Sequence, residues 1–257
     1  VTVVLGPAAI AQQKAEQLGT VSFPISCNEA AQREFTRGLA LYHSFFFAAA
    51  VKSFPTVTTL DPSCAMGHWG IAMGHWYPLW APPTEAALKA GTAAVERAKA
   101  IGGKTPRERD YIAAIEQFYR DADKVPHPAR ALAYEWAMEP LVQRHPDDTE
   151  AAILYALALQ AAASPTDKTY ARQLKSAQIL EKLFVEQPKH PGVAHYLIHA
   201  YDYPSVADKG LAAAKGYADI APSAPHALHM PSHIFTRVGL WQESAKTNRR
   251  AATAATG

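Results

Sequence analysis

Residues 34–62 read EFTRGLALYHSFFFAAAVKSFPTVTTLDP, and four of them set the architecture. Gly38 is followed twelve residues later by Ala50, four further on by Phe54 and eight further on by Pro62. Small residues at that spacing let two consecutive helices cross closely, the aromatic fills the hairpin, and the proline stops the second helix. The plan recurs downstream: Ala213 lies twelve residues before Pro225, with Tyr217 at the aromatic position. Breaks at Asp61-Pro62, Pro82-Pro83, Gly102-Gly103, Pro126, His145-Pro146, Pro165, Pro188, Pro204 and Pro222 divide the rest. They predict helix pairs over 28–60, 64–101, 106–145, 147–187, 191–221 and 225–254. No segment alternates with period two between turn dipeptides, so strands are not expected.

The spacing resembles that of the tetratricopeptide (TPR) repeat, although Glu34 and Arg37 stand where the repeat favours Trp and Leu. The expected fold is therefore all-α: a TPR-like α-solenoid of about six helix pairs. It would occupy residues 22–257, behind an N-terminal arm at 1–21.

Composition narrows the function classes. The chain has 257 residues, 49% hydrophobic and 19% charged, so it can build a core and is not a disordered tail. A net charge of +2 lacks the basic face that nucleic-acid binding requires. Val1 to Gln13, VTVVLGPAAIAQQ, is too short to span a bilayer, which takes about 20 apolar residues. It contains Ala9-Ile10-Ala11, a small-x-small pattern like the end of a secretory signal. A periplasmic or secreted location is expected, with the cytoplasm as the alternative. Cys27 and Cys64 each precede a strong helix, about one helix-pair repeat apart, which permits either a disulfide or two buried thiols.

The strongest chemical signal lies in the last two pairs. Residues 190–202 read HPGVAHYLIHAYD, and residues 224–236 read APHALHMPSHIFT. His195 and His199 are four apart and share a helix face, as do His229 and His233. The second pair follows the first by 34 residues, one TPR unit, so the two pairs occupy equivalent places on neighbouring helices. Both are expected on the concave face, where four imidazoles can meet at one ion, with His226 joining or supporting them. Pro231 fits a helix beginning near Ala227 or Leu228, because the first-turn N–H groups have no intrahelical partner. The absence of the HExxH glutamate excludes a zincin mechanism. The donor set suits zinc, copper, iron or nickel alike, and the expected export favours copper or zinc. Asp202 is a candidate ligand or base, and Tyr196 and Tyr201 are candidates for proton transfer if the metal is catalytic. The alternative is that these histidines are polar core residues.

In the second pair, Met66, Trp69, Met73 and Trp76 are expected to line a partly apolar substrate groove, with Gly70 allowing close approach. The alternative is ordinary core. Residues 104–112, KTPRERDYI, read as a helix start whose charges make solvent or inter-helix ion pairs, with Arg109 or Tyr111 able to reach that groove but not required to, while Asp147 and Asp148 mark another helix start.

Four runs, FTRGLALYHSF, DPSCAMGHWGIAM, HPGVAHYLIHAYD and HALHMPSHIFTRVGLW, resemble bacterial TPR proteins known only by their repeats. The resemblance spans residues 22 to 250 and implies a helical-repeat fold and frequent export; no activity comes with it. The matching positions are His195, His199 and Asp202 in one run, and His226, His229, Met230 and His233 in the other. Two functions are compatible with these features. One is an exported solenoid holding a transition metal, a candidate metalloenzyme for a small partly apolar molecule. The other is a metal-free TPR scaffold that takes a peptide or partner protein in its groove.

Overall fold

The computed structural model describes residues 16–256; residues 1–15, with the Ala9-Ile10-Ala11 pattern, lie outside the described residues. The chain is an all-α, TPR-like solenoid of antiparallel helix hairpins. In chain order the helices are α1 (Glu29–His43), α2 (Phe47–Leu60), α3 (Ala65–Gly74), α4 (Glu85–Ile101), α5 (Pro106–Tyr119) and α6 (His127–Arg144). They continue with α7 (Thr149–Ala161), α8 (Ala171–Glu186), α9 (Pro191–Tyr201), α10 (Leu211–Ile220), α11 (Pro225–His229), α12 (Pro231–Arg237) and α13 (Trp241–Thr256). Among the described residues the only β pairing is an isolated bridge, Tyr77 to Ala81. No described helix is long and apolar enough to cross a membrane.

The helix starts follow from local chemistry. Asn28 accepts from the Ala31 amide, Thr84 from Ala87 and Asp148 from Ala151, each satisfying a first-turn N–H. Thr105 and Glu108 form a reciprocal capping box, with Pro106 as the first helical residue. The expected crossing of α1 and α2 is present: Ala50 and Phe54 are fully buried. Phe54 also presses on α3, since a Cβ on Gly70 would stand 2.2 Å from its ring. Gly70 therefore admits a neighbouring ring, not a ligand.

The predicted groove residues require correction. Met66, Trp69, Met73 and Trp76 are all buried, and none lines an open surface. Trp69 packs against Phe23, Phe35 and Tyr111, with ring centroids 5.5, 6.0 and 5.6 Å away. Trp76 stacks on Phe118 at 4.2 Å, and Met73 receives the Tyr134 hydroxyl at 3.9 Å. Two features fill the space where a groove was expected. First, α1 packs directly against α9 as well as α3, so opposite walls of the solenoid meet. Second, the non-helical segment before α1 runs along the inner helices. Its Phe23 is buried, with the Arg107 guanidinium 4.1 Å above the ring. Its main chain is held as well: the Thr20 amide donates to the Lys189 carbonyl at 2.9 Å and the Ser26 amide to Glu108 at 2.6 Å. Arg107 donates to the Pro24 carbonyl at 2.9 Å. Tyr111 does not reach a groove but donates to Asp148 at 2.8 Å, and Arg109 donates to the Gly103 carbonyl. A disulfide joins Cys27 to Cys64, tying this segment to the start of α3.

Candidate metal centre

Two histidine-rich clusters occur where α9 meets its neighbours. One was visible in the sequence and one was not.

The visible cluster is built by α9, α11 and α12. His195 and His199 lie one turn apart on α9, with their Nε2 atoms 3.1 Å from each other. His229 and His233 repeat this arrangement at 3.0 Å across the α11–α12 junction. That helix begins at Pro225, two residues earlier than Ala227. Met230 keeps helical angles (φ −52, ψ −37) between the two short helices, so Pro231 interrupts the bonding without turning the chain. His229 and His233 consequently stay on one face.

The grouping differs from the expected four. The ligand atoms that all lie within 4.8 Å of one another belong to His195, His199 and His226. His226 is thus a full member, and its buried Nε2 has no hydrogen-bond partner. His229 and His233 form an adjoining pair, with ring centroids 5.8 Å from His226 and 6.1 Å from His199 respectively. Phe45, in the turn after α1, covers the triad, 4.3 Å from the His195 ring and stacked on His226 at 5.7 Å. Tyr217 stacks on His195 from the other side at 5.1 Å, and the exposed Trp80 stands 5.2 Å from His226.

The outer contacts fix the tautomers. His195 Nδ1 donates to the His43 carbonyl at 2.6 Å, leaving the Nε2 lone pair directed at His199. His233 Nδ1 faces the Asp202 carboxylate at 2.8 Å and must donate to it. His229 Nδ1 faces Asn248 Oδ1 at 2.6 Å, and the Asn248 amide is itself committed to the Ser244 carbonyl at 3.1 Å. His229 Nδ1 must therefore donate too. In the neutral rings both Nε2 atoms of the 229–233 pair carry lone pairs, and those lone pairs face each other. An added cation between them, a proton or a metal ion, relieves that opposition. Two nitrogens each about 2.05 Å from one ion stand about 2.9–3.4 Å apart for angles between square and tetrahedral. Both pairs fall in that range. Carboxylate, amide and carbonyl acceptors behind the rings are what orients imidazole ligands in metal sites.

Burial pushes the His199 and His226 pKa values down to about 3, with the neighbouring imidazoles adding to the effect. His195 is pushed down by the same causes, burial first. These rings are neutral at physiological pH, as metal ligation requires.

The proposed proton-transfer residues are engaged elsewhere. Asp202 caps the end of α9, where Arg237 donates to it at 2.9 Å and His233 at 2.8 Å. Burial raises its pKa, but those two hydrogen bonds outweigh burial and hold it below the usual carboxylate range. It orients His233 instead of acting as a free base. Tyr196 is fully buried, and its hydroxyl points away from the cluster to His43 Nδ1 at 2.9 Å. Tyr201 donates to Glu181 at 2.6 Å.

The cluster missed from sequence is His43, Glu150 and His190, contributed by α1, α7 and the cap of α9, all fully buried. Glu150 accepts from His43 Nε2 at 3.0 Å and from His190 Nε2 at 2.7 Å. His190 Nδ1 accepts from the Val193 amide, and His43 Nδ1 from Tyr196, so every ring nitrogen is satisfied by protein. Burial raises the Glu150 pKa, yet the two imidazoles prevail and hold it down to about 2. A Cβ on Gly192 would stand 2.5 Å from His43 Nδ1, so glycine there lets α9 approach α1. This network staples the two walls of the solenoid. No local pattern joins these residues: Glu150 stands 107 residues from His43 and 40 from His190, so only the packing of the helices brings them together.

No family model and no curated protein matches this chain. Among solved structures it is similar to YrrB, described as a TPR protein with an unusual peptide-binding site, at 17% identity over 77% of this chain and 90% of that one. The TM-score is 0.37, too low for that likeness to bear on the site.

Proposed function

We propose that the chain is a helical-repeat scaffold that binds a transition metal through the histidines of α9, α11 and α12. The observation that carries this reading is the opposition of the His229 and His233 Nε2 lone pairs at 3.0 Å, each ring held in that tautomer by an acceptor behind it. His195, His199 and His226 supply three further imidazoles, neutral and partly orphaned. A thiolate-free imidazole set suits zinc or copper.

Equilibrium dialysis of tag-free protein against zinc and copper tests it. The wild type should retain metal. His199→Ala combined with His233→Ala should abolish uptake while leaving the helical circular dichroism in place. Equal uptake by the double variant would overturn the proposal.

A second reading, a metal-free scaffold for an extended peptide, is supported by the inner helices already gripping residues 17–26 through main-chain groups. Chelator-insensitive retention of a defined peptide by protein that takes up no metal would favour it.

A further inference from the structure

A cavity of about 290 Å³ opens beside the histidine cluster, with His199 and Asp202 on one wall. Its remaining polar lining comes from α7, α8, α12 and the turn after α9: Gln160, Gln173, Tyr203 and Arg237. The chemistry of these four groups is specific. Gln160 is nine-tenths buried, and its amide hydrogens are spent on Ser176 at 2.7 Å and the Tyr196 carbonyl at 3.0 Å. What it offers the cavity is its Oε1, an acceptor. Gln173 is equally buried; it donates to the Tyr203 hydroxyl at 3.1 Å, and its own Oε1 has no partner. The lining thus holds one unmet buried acceptor, Gln173 Oε1, together with the amide oxygen of Gln160, so it favours an occupant that donates hydrogen bonds.

The opposite end is cationic. Arg237 spends its Nε on Asp202, and its terminal nitrogens have no hydrogen-bond partner among the described residues. A planar guanidinium edge of that kind suits a carboxylate. The volume sits at the small end of the ligand-pocket range of about 300–1,000 Å³, which excludes a long peptide or a nucleotide.

We propose that this cavity binds a small amino-acid zwitterion, its ammonium between Gln160 and Gln173 and its carboxylate on Arg237, within reach of the His199 edge of the metal centre. This names a substrate class for that centre and rests on the metal reading above. Leu79, at the cavity mouth in a left-handed conformation (φ 65), gives the side chain of the ligand an apolar wall.

Isothermal titration calorimetry with each of the twenty common amino acids, on metal-loaded and metal-free protein, tests the proposal. At least one should bind with a Kd tighter than about 1 mM. Its N-acetyl and C-amide derivatives should bind at least about tenfold more weakly, because each removes one end of the recognition. Gln173→Leu should cost about tenfold in affinity, and Tyr203→Phe serves as the second variant should Gln173→Leu fail to fold. Both variants should keep the metal content of the wild type. No binding by any amino acid, or equal binding of the capped derivatives, would overturn the proposal. Elemental analysis of the same samples separates the two claims: metal uptake without amino-acid binding removes the pocket, and binding without metal uptake removes the metal reading.

Discussion

His229 and His233 bring their Nε2 atoms within 3.0 Å of each other, while each ring's Nδ1–H is donated outward, to Asn248 Oδ1 and to the Asp202 carboxylate. The arrangement depends on residues from two helices with three others between them in the chain: Asp202 ends α9, and Asn248 lies on α13. Loss of either partner frees a ring to rotate or change tautomer. Asp202→Asn and Asn248→Ala should each lower metal affinity about 10–100-fold without loss of helix content. Competition with a colorimetric chelator measures this; affinities equal to wild type would mean that the outer contacts do not orient the ligands.

Glu150 holds two walls of the solenoid together, so its loss should be felt as stability. Glu150→Gln takes the charge from the acceptor of both buried imidazoles and turns an amide N–H toward one of them, which should cost about 3–5 kcal/mol in chemical denaturation. The pH dependence has a definite sign. The carboxyl binds its proton at about 2 in the folded chain and 4.5 when unfolded, so the unfolded state holds more protons between those values. Its contribution is fully present above about pH 4.5 and lost as pH falls toward 2. The stability difference between wild type and Glu150→Gln should shrink over that window. A difference that is constant with pH would show that Glu150 is not ionised in the folded state.

Phe23 anchors the segment that fills the inner side. Removing its ring leaves a void among Phe35, Trp69 and Tyr111, which should cost about 3–5 kcal/mol. With the disulfide intact the segment stays tethered at Cys27, but cleavage between residues 16 and 26 should accelerate in Phe23→Ala. Limited proteolysis followed by mass spectrometry reads this, and an unchanged cleavage pattern would mean that the main-chain bonds alone hold the segment.

Gly70 tests the helix crossing itself. A methyl group there meets the Phe54 ring at 2.2 Å, a distance that forces α2 and α3 apart. Gly70→Ala should destabilise by about 1–3 kcal/mol despite the better helix propensity of alanine, and pairing it with Phe54→Leu should recover part of that loss. A stabilised Gly70→Ala would contradict the packing described.

The hairpins were legible because their signals are local: the Gly38, Ala50, Phe54 and Pro62 spacing, and caps such as Thr105 with Pro106. The two HxxxH pairs were legible for the same reason, since i and i+4 share a helix face whatever the helix packs against. What did not follow was closure. Nothing near His43 or Glu150 states that α1 meets α7 and α9, because those contacts join residues 107 and 152 apart in sequence. The same closure explains why Trp69 and Met73, read as lining a groove, are core: a segment preceding the repeat fills the space. His226 was undervalued because its distance to His199 is set by how two hairpins pack and not by spacing along one helix.

The most direct test of the metal reading is X-ray absorption at the metal edge on tag-free protein after exposure to zinc or copper and exhaustive dialysis. The expected result is about one equivalent or more of metal with a first shell of nitrogen at about 2.0–2.1 Å and the outer scattering of imidazole rings, lost in the His199→Ala, His233→Ala double variant. Less than about a tenth of an equivalent of any transition metal, or a bound metal whose shell shows no imidazole, would contradict it.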